Sequence, residues 1–414
     1  MQLYRPTIGL VLTIGILIIG SYFHENKCLA VEINAPGHRY PITLGGTLQV
    51  DYRNISDQAR ADSRFDIRRA RMNICGQYLP NLSYELEFEF QGNATKRLVD
   101  AYGRLCIYQP SLYLQFGQFK MPFSREWLIE DKAFPFAERS IGYTLQPGRD
   151  VGVMLGGEIL NGLFLYNLGI FNGDGIDGSS RGNQKDEPEL AMRCVVYPLA
   201  HTDLWGISPF FGVSFTESRI DTTNVQVQAK STGMIGTLRN VYELKSHTKF
   251  GNLLDVNKRQ RKCLESGLIA GPMAFYAEYQ RFQYKDLKPV GEEPSNANIY
   301  TWYTSLVINL NGMSMSQPLS PKKKTSVDIW QAAFRREYFS GDANWIKAES
   351  FNAAKEANAY SLALSWMRIP YYRILIDYTY TDISDPIRIR VNPDSTIEYM
   401  TSETSVTMRF QINM

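Results

Sequence analysis

Ser83-Tyr84-Glu85-Leu86-Glu87-Phe88-Glu89-Phe90-Gln91 alternates without a break: Tyr84, Leu86, Phe88 and Phe90 fall on one side, and Glu85, Glu87, Glu89 and Gln91 on the other. Successive side chains of a strand point to opposite faces, so this stretch predicts a strand with one apolar and one strongly polar face. A soluble sandwich could use such a strand, and the rest of the chain has to decide. The same period recurs in Ala70-Met72-Ile74 against Arg69-Arg71-Asn73, in Phe164-Tyr166-Leu168-Ile170, in Tyr360-Leu362-Leu364-Trp366 and in Tyr372-Ile374-Ile376-Tyr378-Tyr380.

Sixteen segments read this way: 42–53, 63–78, 82–92, 98–108, 111–122, 149–159, 162–172, 188–198, 206–217, 263–270, 273–285, 298–310, 326–339, 358–368, 371–382 and 402–414. Spread over residues 31–414, they allow about 24 residues per strand and connection, which leaves about 14 for turns when a tilted spanning strand takes about 10. Connection lengths alternate as well. Leu79-Pro80-Asn81, Gln109-Pro110, Leu160-Asn161, Gly271-Pro272 and Ile369-Pro370 are tight, whereas 123–148, 173–187, 218–262, 340–357 and 383–401 are long and polar. Two connections break the rule: 93–97 is short and 311–325 is long. The expectation is all-β: a transmembrane antiparallel β-barrel of about sixteen strands with short periplasmic turns and long external loops. Ser405 to Met414 alternates to the last residue, as a closing strand read by the barrel-assembly machinery should, although Met414 stands where an aromatic residue is usual.

Composition fits. Thirteen per cent of residues are aromatic and 21% charged, and beyond the N-terminus no stretch has the roughly 20 apolar residues a spanning helix needs. The one long apolar run, Thr7–Gly20, followed by Cys28-Leu29-Ala30, reads as an export signal over residues 1–30, with 31–414 as the exported barrel. Removing 1–30 takes Arg5, Lys27 and Glu25 and leaves 42 basic against 41 acidic groups, so no basic excess marks a nucleic-acid binder. Cys75, Cys106, Cys194 and Cys263 are scattered and read as small wall residues, with one bridge as the minority alternative. His38, His201 and His247 have no paired spacing, so neither a metal site nor a cofactor is expected.

Four motifs carry a family resemblance. Phe65-Asp66-Ile67-Arg68-Arg69-Ala70-Arg71, Gly117-Gln118-Phe119-Lys120-Met121-Pro122-Phe123, Pro147-Gly148-Arg149-Asp150-Val151-Gly152-Val153 and Gly169-Ile170-Phe171-Asn172-Gly173-Asp174-Gly175 occur in the order seen in the phosphate-selective porin O/P family of Gram-negative outer membranes, which this chain resembles. The motifs cover 42–200; beyond that the likeness lies in strand rhythm and the last two strands. The resemblance implies a homotrimeric, water-filled channel in outer-membrane lipid. It also implies that the third external loop, here 123–148, folds inward, and that basic groups draw small anions such as phosphate through.

Assigning apolar faces to lipid makes Arg69, Arg71, Arg193, Arg335, Arg373 and Arg409 lumenal, with Lys120 beside them and Arg125, Lys132, Arg139 and Arg149 on or next to the loop. Arg69, Arg71, Lys120, Arg125, Arg139 and Arg149 are the candidate anion-binding set, since a guanidinium grips phosphate oxygens bidentately and keeps its charge. The competing reading pairs these groups with Glu85, Glu87, Glu89, Glu278, Glu337 and Asp377 on the same inner face. A three-residue turn at 79–81 would set Arg71 opposite Glu89 and Asn73 opposite Glu87. The 218–262 connection, with Lys245, Lys249, Lys258, Arg259, Arg261 and Lys262, could collect anions outside.

Gly173-Asp174-Gly175-Ile176-Asp177-Gly178 satisfies GxGxxG, but no helix pattern follows and two Asp would repel a pyrophosphate. Pro321-Lys322-Lys323-Lys324 reads as a solvated turn in an exported chain. The remaining alternatives are a non-selective general porin, a plugged structural or adhesive barrel, and a barrel hydrolase built on His201. The last lacks a Ser/His or Asp/His constellation, so no enzyme is expected.

Overall fold

In the computed structural model the described residues are 31–33, 40, 42–57, 61–92, 98–173, 175, 188–200, 206–220, 227–231, 241–244, 253–289, 293–315, 327–343, 354–391 and 396–414. Sixteen strands form the wall. The first half comprises β1 (Ile42–Asp57), β2 (Ala61–Leu79), β3 (Leu82–Glu89), β4 (Leu98–Tyr108), β5 (Leu112–Lys120), β6 (Arg149–Ile159), β7 (Phe164–Phe171) and β8 (Glu189–Val196). The second half comprises β9 (Ile207–Ile220), β10 (Leu253–Ala270), β11 (Met273–Pro289), β12 (Ser295–Asn309), β13 (Val327–Ser340), β14 (Glu356–Ile369), β15 (Tyr372–Val391) and β16 (Ile397–Asn413). Each pairs antiparallel with the next, and β16 pairs with β1 from Glu403↔Asp57 to Asn413↔Thr47, so the sheet closes. Closure removes the unpaired edges that an open sheet would present. A short strand, Val31–Ile33, adds to the start of β1.

All sixteen predicted segments are strands, with longer reach in the second half. The 218–262 connection is shorter than the sequence suggests, because 253–262 continues β10. Lys258, Gln260 and Lys262 alternate there with Arg259 and Arg261, and charge on both faces hides the period that marks a lipid-facing strand. The 383–401 connection likewise shrinks to 392–396 between β15 and β16. Residues 1–30, expected to be an export signal, and His38, His201, Lys245, Lys249, Asp174, Asp177 and the 321–324 cluster lie outside the described residues. All four described cysteines are free thiols.

Two irregularities matter for what faces inward. Between β2 and β3 the turn is tight, but a register shift between Gln77 and Leu79 adds the residue needed to pair Arg71 with Glu89 and Asn73 with Glu87. In β2 a bulge sets Gln49 opposite Arg69 and Val50 opposite Ile67, leaving Arg68 as the extra residue. A bulge inserts one residue and breaks the strict alternation. Arg68 and Arg69, neighbours in sequence, therefore both meet acids of the lumenal loop, Glu138 and Asp131.

Outside, Phe65, Phe211, Leu264, Leu362 and many similar residues are exposed, forming the apolar band a lipid-facing wall needs. Aromatic rings border it. Trp330 stacks on Trp366 with centroids 6.3 Å apart, and Trp366 meets Tyr372 at 5.4 Å, close to the short turns. Trp302 and Tyr338 stack at 6.0 Å nearer the long-loop end.

Inside, the barrel is partly filled. The connection 121–148 turns into the lumen as a single helical turn, α1 (Arg125–Leu128), followed by 3₁₀ turns at Asp131–Ala133 and Ile141–Leu145. Ser124 caps α1, its Oγ accepting from the Trp127 N–H at 3.1 Å. Val227–Ala229 and Tyr242–Leu244, from the connection between β9 and β10, pair antiparallel as a second inserted segment. Phe123, Trp127, Ile141, Leu145, Val227 and Tyr242 pack with Phe282, Ile299, Phe339 and Ile383 into an apolar core against the outer part of β10–β16. A second cluster, with Phe134, Phe136, Phe210, Tyr276 and Tyr303, lies against the loop's other side.

Candidate functional site

A loop carried into a lumen brings unpaired backbone N–H groups with it, and each must find an acceptor. Four wall carboxylates supply them. Glu265 Oε2 accepts from Arg125 N–H at 2.6 Å, Glu278 Oε1 from Glu126 N–H at 2.7 Å, Glu337 Oε2 from Ile141 N–H at 2.7 Å and Asp377 Oδ2 from Ala137 N–H at 3.0 Å. These acids come from β10, β11, β13 and β15 and are almost fully buried. Three of them, Glu278, Glu337 and Asp377, are lumenal as the alternation predicts, but they hold the loop rather than face the open channel.

Wall arginines complete the clamp. Arg335 Nη1 lies 3.3 Å from Glu126 and its Nη2 donates to the Glu138 carbonyl at 3.0 Å. Arg373 donates to the carbonyls of Phe134 and Pro135. Arg409 pairs with Asp51 at 2.7 Å and reaches Glu138 at 3.5 Å. Arg193 is taken up by Glu265 at 2.6 Å. The lumenal arginines of β8, β13, β15 and β16 are thus tied to the inserted loop or to neighbouring wall acids.

Two loop acids collect cations, all but Arg139 from the opposite wall. Glu138 contacts Arg68 Nε at 2.7 Å and Arg53 Nη2 at 2.9 Å, besides Arg409. Asp131 contacts Arg69 Nε at 2.9 Å and both Arg71 Nη1 and Arg139 Nη2 at 3.0 Å. Burial pushes both carboxyls up, but Arg69, Arg139 and Arg71 outweigh it at Asp131 and hold that group well below the usual range. Arg68, then Arg53 and Arg409, do the same at Glu138. Opposite charges within a few ångströms favour the ionised form more than desolvation disfavours it.

Among the described residues a cavity of about 480 Å³ lies against β1–β7, bounded by the loop and lined by mixed charge. Its basic side chains are Arg69, Arg71, Arg104, Lys120, Lys132 and Arg149, and its acids Glu85, Glu87, Asp100, Glu130 and Asp131. Most are paired. Arg71 bridges Glu89 at 2.8 Å and Glu87 at 3.4 Å, Arg149 meets Asp100 at 2.9 Å, and Lys132 meets Glu130 at 2.9 Å. The pairing Arg71 to Glu89 is the cross-strand one the register allows.

Among the described residues, two lining cations have no carboxylate within 4 Å. Lys120 Nζ donates to the carbonyls of Trp127, Leu128 and Ile129 at 2.8, 3.4 and 3.0 Å, at the C-terminal end of α1. Arg104 donates from Nε and Nη2 to the neutral Gln115 Oε1 at 2.9 and 2.6 Å, with its guanidinium 4.6 Å from the Tyr113 ring centroid. Arg104 escaped the sequence reading although Asp100, Tyr102 and Arg104 alternate on one face of β4. Arg68 could not be found that way, because its orientation depends on the bulge.

The candidate residues therefore divide. Arg69, Arg71, Lys120 and Arg149 line one cavity. Arg125 and Arg139 do not: the Arg125 guanidinium lies 3.3 Å from the Tyr276 ring centroid, and Arg139 is buried between Asp131, Phe134 and Tyr143. Both were drawn aside by the apolar packing of the loop against the second half of the wall. Arg259 and Arg261 belong to β10 and pair with Glu189, rather than forming an external collector.

Comparison with known proteins agrees with the architecture. No curated protein matches the chain by sequence. Among solved structures, the anion-selective porin from Comamonas acidovorans superimposes with a TM-score of 0.54 at 10% identity, covering 91% of this chain and 100% of that one. The outer membrane channel DcaP of Acinetobacter baumannii gives 0.53 at 10% identity, covering 93% and 100%. The trimer form of OmpT, an outer membrane protein of Vibrio cholerae, gives 0.51 at 10% identity, covering 91% and 99%. At this identity the likeness is one of fold. The sequence model of phosphate-selective porin O and P matches residues 42–413, nearly the whole wall, and the chain belongs to that family.

Proposed function

We propose that this chain is a passive outer-membrane porin that favours small anions, with Lys120 and Arg104 as the groups a permeant ion meets uncompensated. The observation that carries the reading is their placement on one cavity wall without carboxylate partners, while the neighbouring lining cations are neutralised. Conduction needs several moderate sites rather than one deep one, because the ion must leave as well as enter. Two separated cations in a mixed lining meet that need. The family and the anion selectivity of the Comamonas protein support the choice of sign.

Arg69, Arg71 and Arg149 line the path as paired groups, which favours a general porin with mild anion preference as the second reading over strong phosphate selectivity. Export by residues 1–30, insertion through the terminal strand and assembly as a homotrimer belong to the same proposal. Enzymatic chemistry does not: members of the family are channels.

Reconstitution into planar bilayers with a KCl gradient tests it. An anion-signed reversal potential is expected, shifted toward zero in Lys120→Ala. Phosphate that blocks the native channel but not the variant would make the pore a phosphate path, whereas cation selectivity would refute the proposal.

A further inference from the structure

The outer surface of β9–β12 carries a feature that a uniform apolar belt lacks. Phe211, Leu264, Tyr279 and Trp302 wall a groove of about 690 Å³ on the outward face. Its floor is made of small side chains, Ser266 and Ala277 as cross-strand partners and Thr304 beside Ala277. A row of small residues between large ones leaves an apolar recess on the outward face, which an acyl chain can fill.

Directly toward the long-loop end from the Leu264↔Tyr279 pair, the next pair on the same face is Lys262↔Arg281. Neither cation has a carboxylate within 4 Å among the described residues. Arg281 donates only to the neutral Asn298 Oδ1 at 3.0 Å, its Nε lacks a partner, and Lys262 is exposed beside the Phe215 ring. Glu217, two residues along β9 from Phe215, the cross-strand partner of Lys262, is already taken by Lys258 at 2.6 Å. Followed around the barrel by register, this level reads Met192, Phe215, Lys262, Arg281, Tyr300, Ser340 and Glu356. Cations that merely reach for the interface with their long stems would not need to be adjacent or to sit above a groove.

From the recess and the paired cations we infer that this face binds a phosphorylated, acylated glycolipid of the outer leaflet, lipid A. One acyl chain lies in the groove and a phosphate is held between Lys262 and Arg281, since guanidinium and ammonium groups bind phosphate oxygens strongly where charge is poorly solvated. This rests on the outer-membrane reading above but not on the channel's selectivity.

The test uses the purified full chain in detergent micelles, titrated with bisphosphorylated lipid A, monophosphoryl lipid A or phosphatidylethanolamine, with binding followed by native mass spectrometry. Bisphosphorylated lipid A should bind best and phosphatidylethanolamine least. Lys262→Ser with Arg281→Ser should weaken lipid A binding at least tenfold, and Ala277→Phe, which fills the groove but keeps both cations, should do likewise. Both variants should keep native conductance and reversal potential, which shows that they are folded and separates this inference from the pore reading. Equal binding of phosphatidylethanolamine, or native affinity in either variant, overturns it. So does a changed oligomeric state in Ala277→Phe without loss of lipid, which would make the groove an interface between copies of the chain.

Discussion

Replacing Asp131 by Asn keeps the side chain's shape and one acceptor while removing the charge that contacts Arg69, Arg71 and Arg139. Arg71 retains Glu87 and Glu89, but Arg69 is left with the neutral Gln49. The lining changes from six basic and five acidic groups to six and four. For an ion passing roughly 5 Å away in water-like dielectric, one elementary charge is worth about 0.8 kcal/mol, or about fourfold in local occupancy. Anions should gain and cations lose by that factor at low ionic strength, and less above about 0.1 M salt, where screening sets in near 10 Å. The same change breaks partly buried ion pairs, a loss of at most about 3–5 kcal/mol that should loosen the loop. Single-channel recording in a tenfold KCl gradient reads both effects. A reversal potential moved toward the anion limit, together with noisier conductance, is expected. Larger conductance with unchanged selectivity would refute the electrostatic part and leave Asp131 as a tether alone.

The remaining predictions concern the inserted segments. Tyr242→Ala empties a fully buried position whose ring lies 5.5 Å from Phe339 and packs against the bare Cα of Gly341; a loss of about 3–5 kcal/mol should release the segment, seen as raised conductance and faster proteolysis at 227–244. Glu138 has a folded pKa below its ordinary value of 4.5, so its contribution is complete above that value and is lost as pH falls through the lower folded one. The thermal midpoint gap between native protein and Glu138→Gln should accordingly stay constant from pH 7 to about 5 and narrow in stronger acid; a gap that closes near neutrality would contradict the depressed value.

Much of the wall was legible because its physics is local. Each strand needs one face for lipid and one for the lumen, and Tyr84-Glu85-Leu86-Glu87-Phe88-Glu89 states that need in its own letters. The lumenal arginines of β2, β8, β13, β15 and β16 followed from the same alternation. Where both faces are polar, as at 258–262, the period vanishes from the sequence although the backbone is strand. The bulge at Arg68 was also hidden, since nothing in Ile67-Arg68-Arg69-Ala70 says which residue steps out of the ladder; that is decided by the partner register with β1.

The sequence by itself determined a closed antiparallel wall, the sides of its strands and the presence of a long connection after β5, because alternation and loop length depend only on near neighbours. Only the tertiary structure decided which charges remain available to an ion. Arg139 and Arg373 are spent on loop acids and carbonyls and Glu278 and Asp377 on loop amides, whereas Arg104, unremarkable in the chain, stays on the open side. The physical reason is that burying a polar loop obliges the N–H groups, carbonyls and charges it carries to find partners, and those partners come from wall strands on both sides of it in sequence, β1 and β2 before it and β10 to β16 after it.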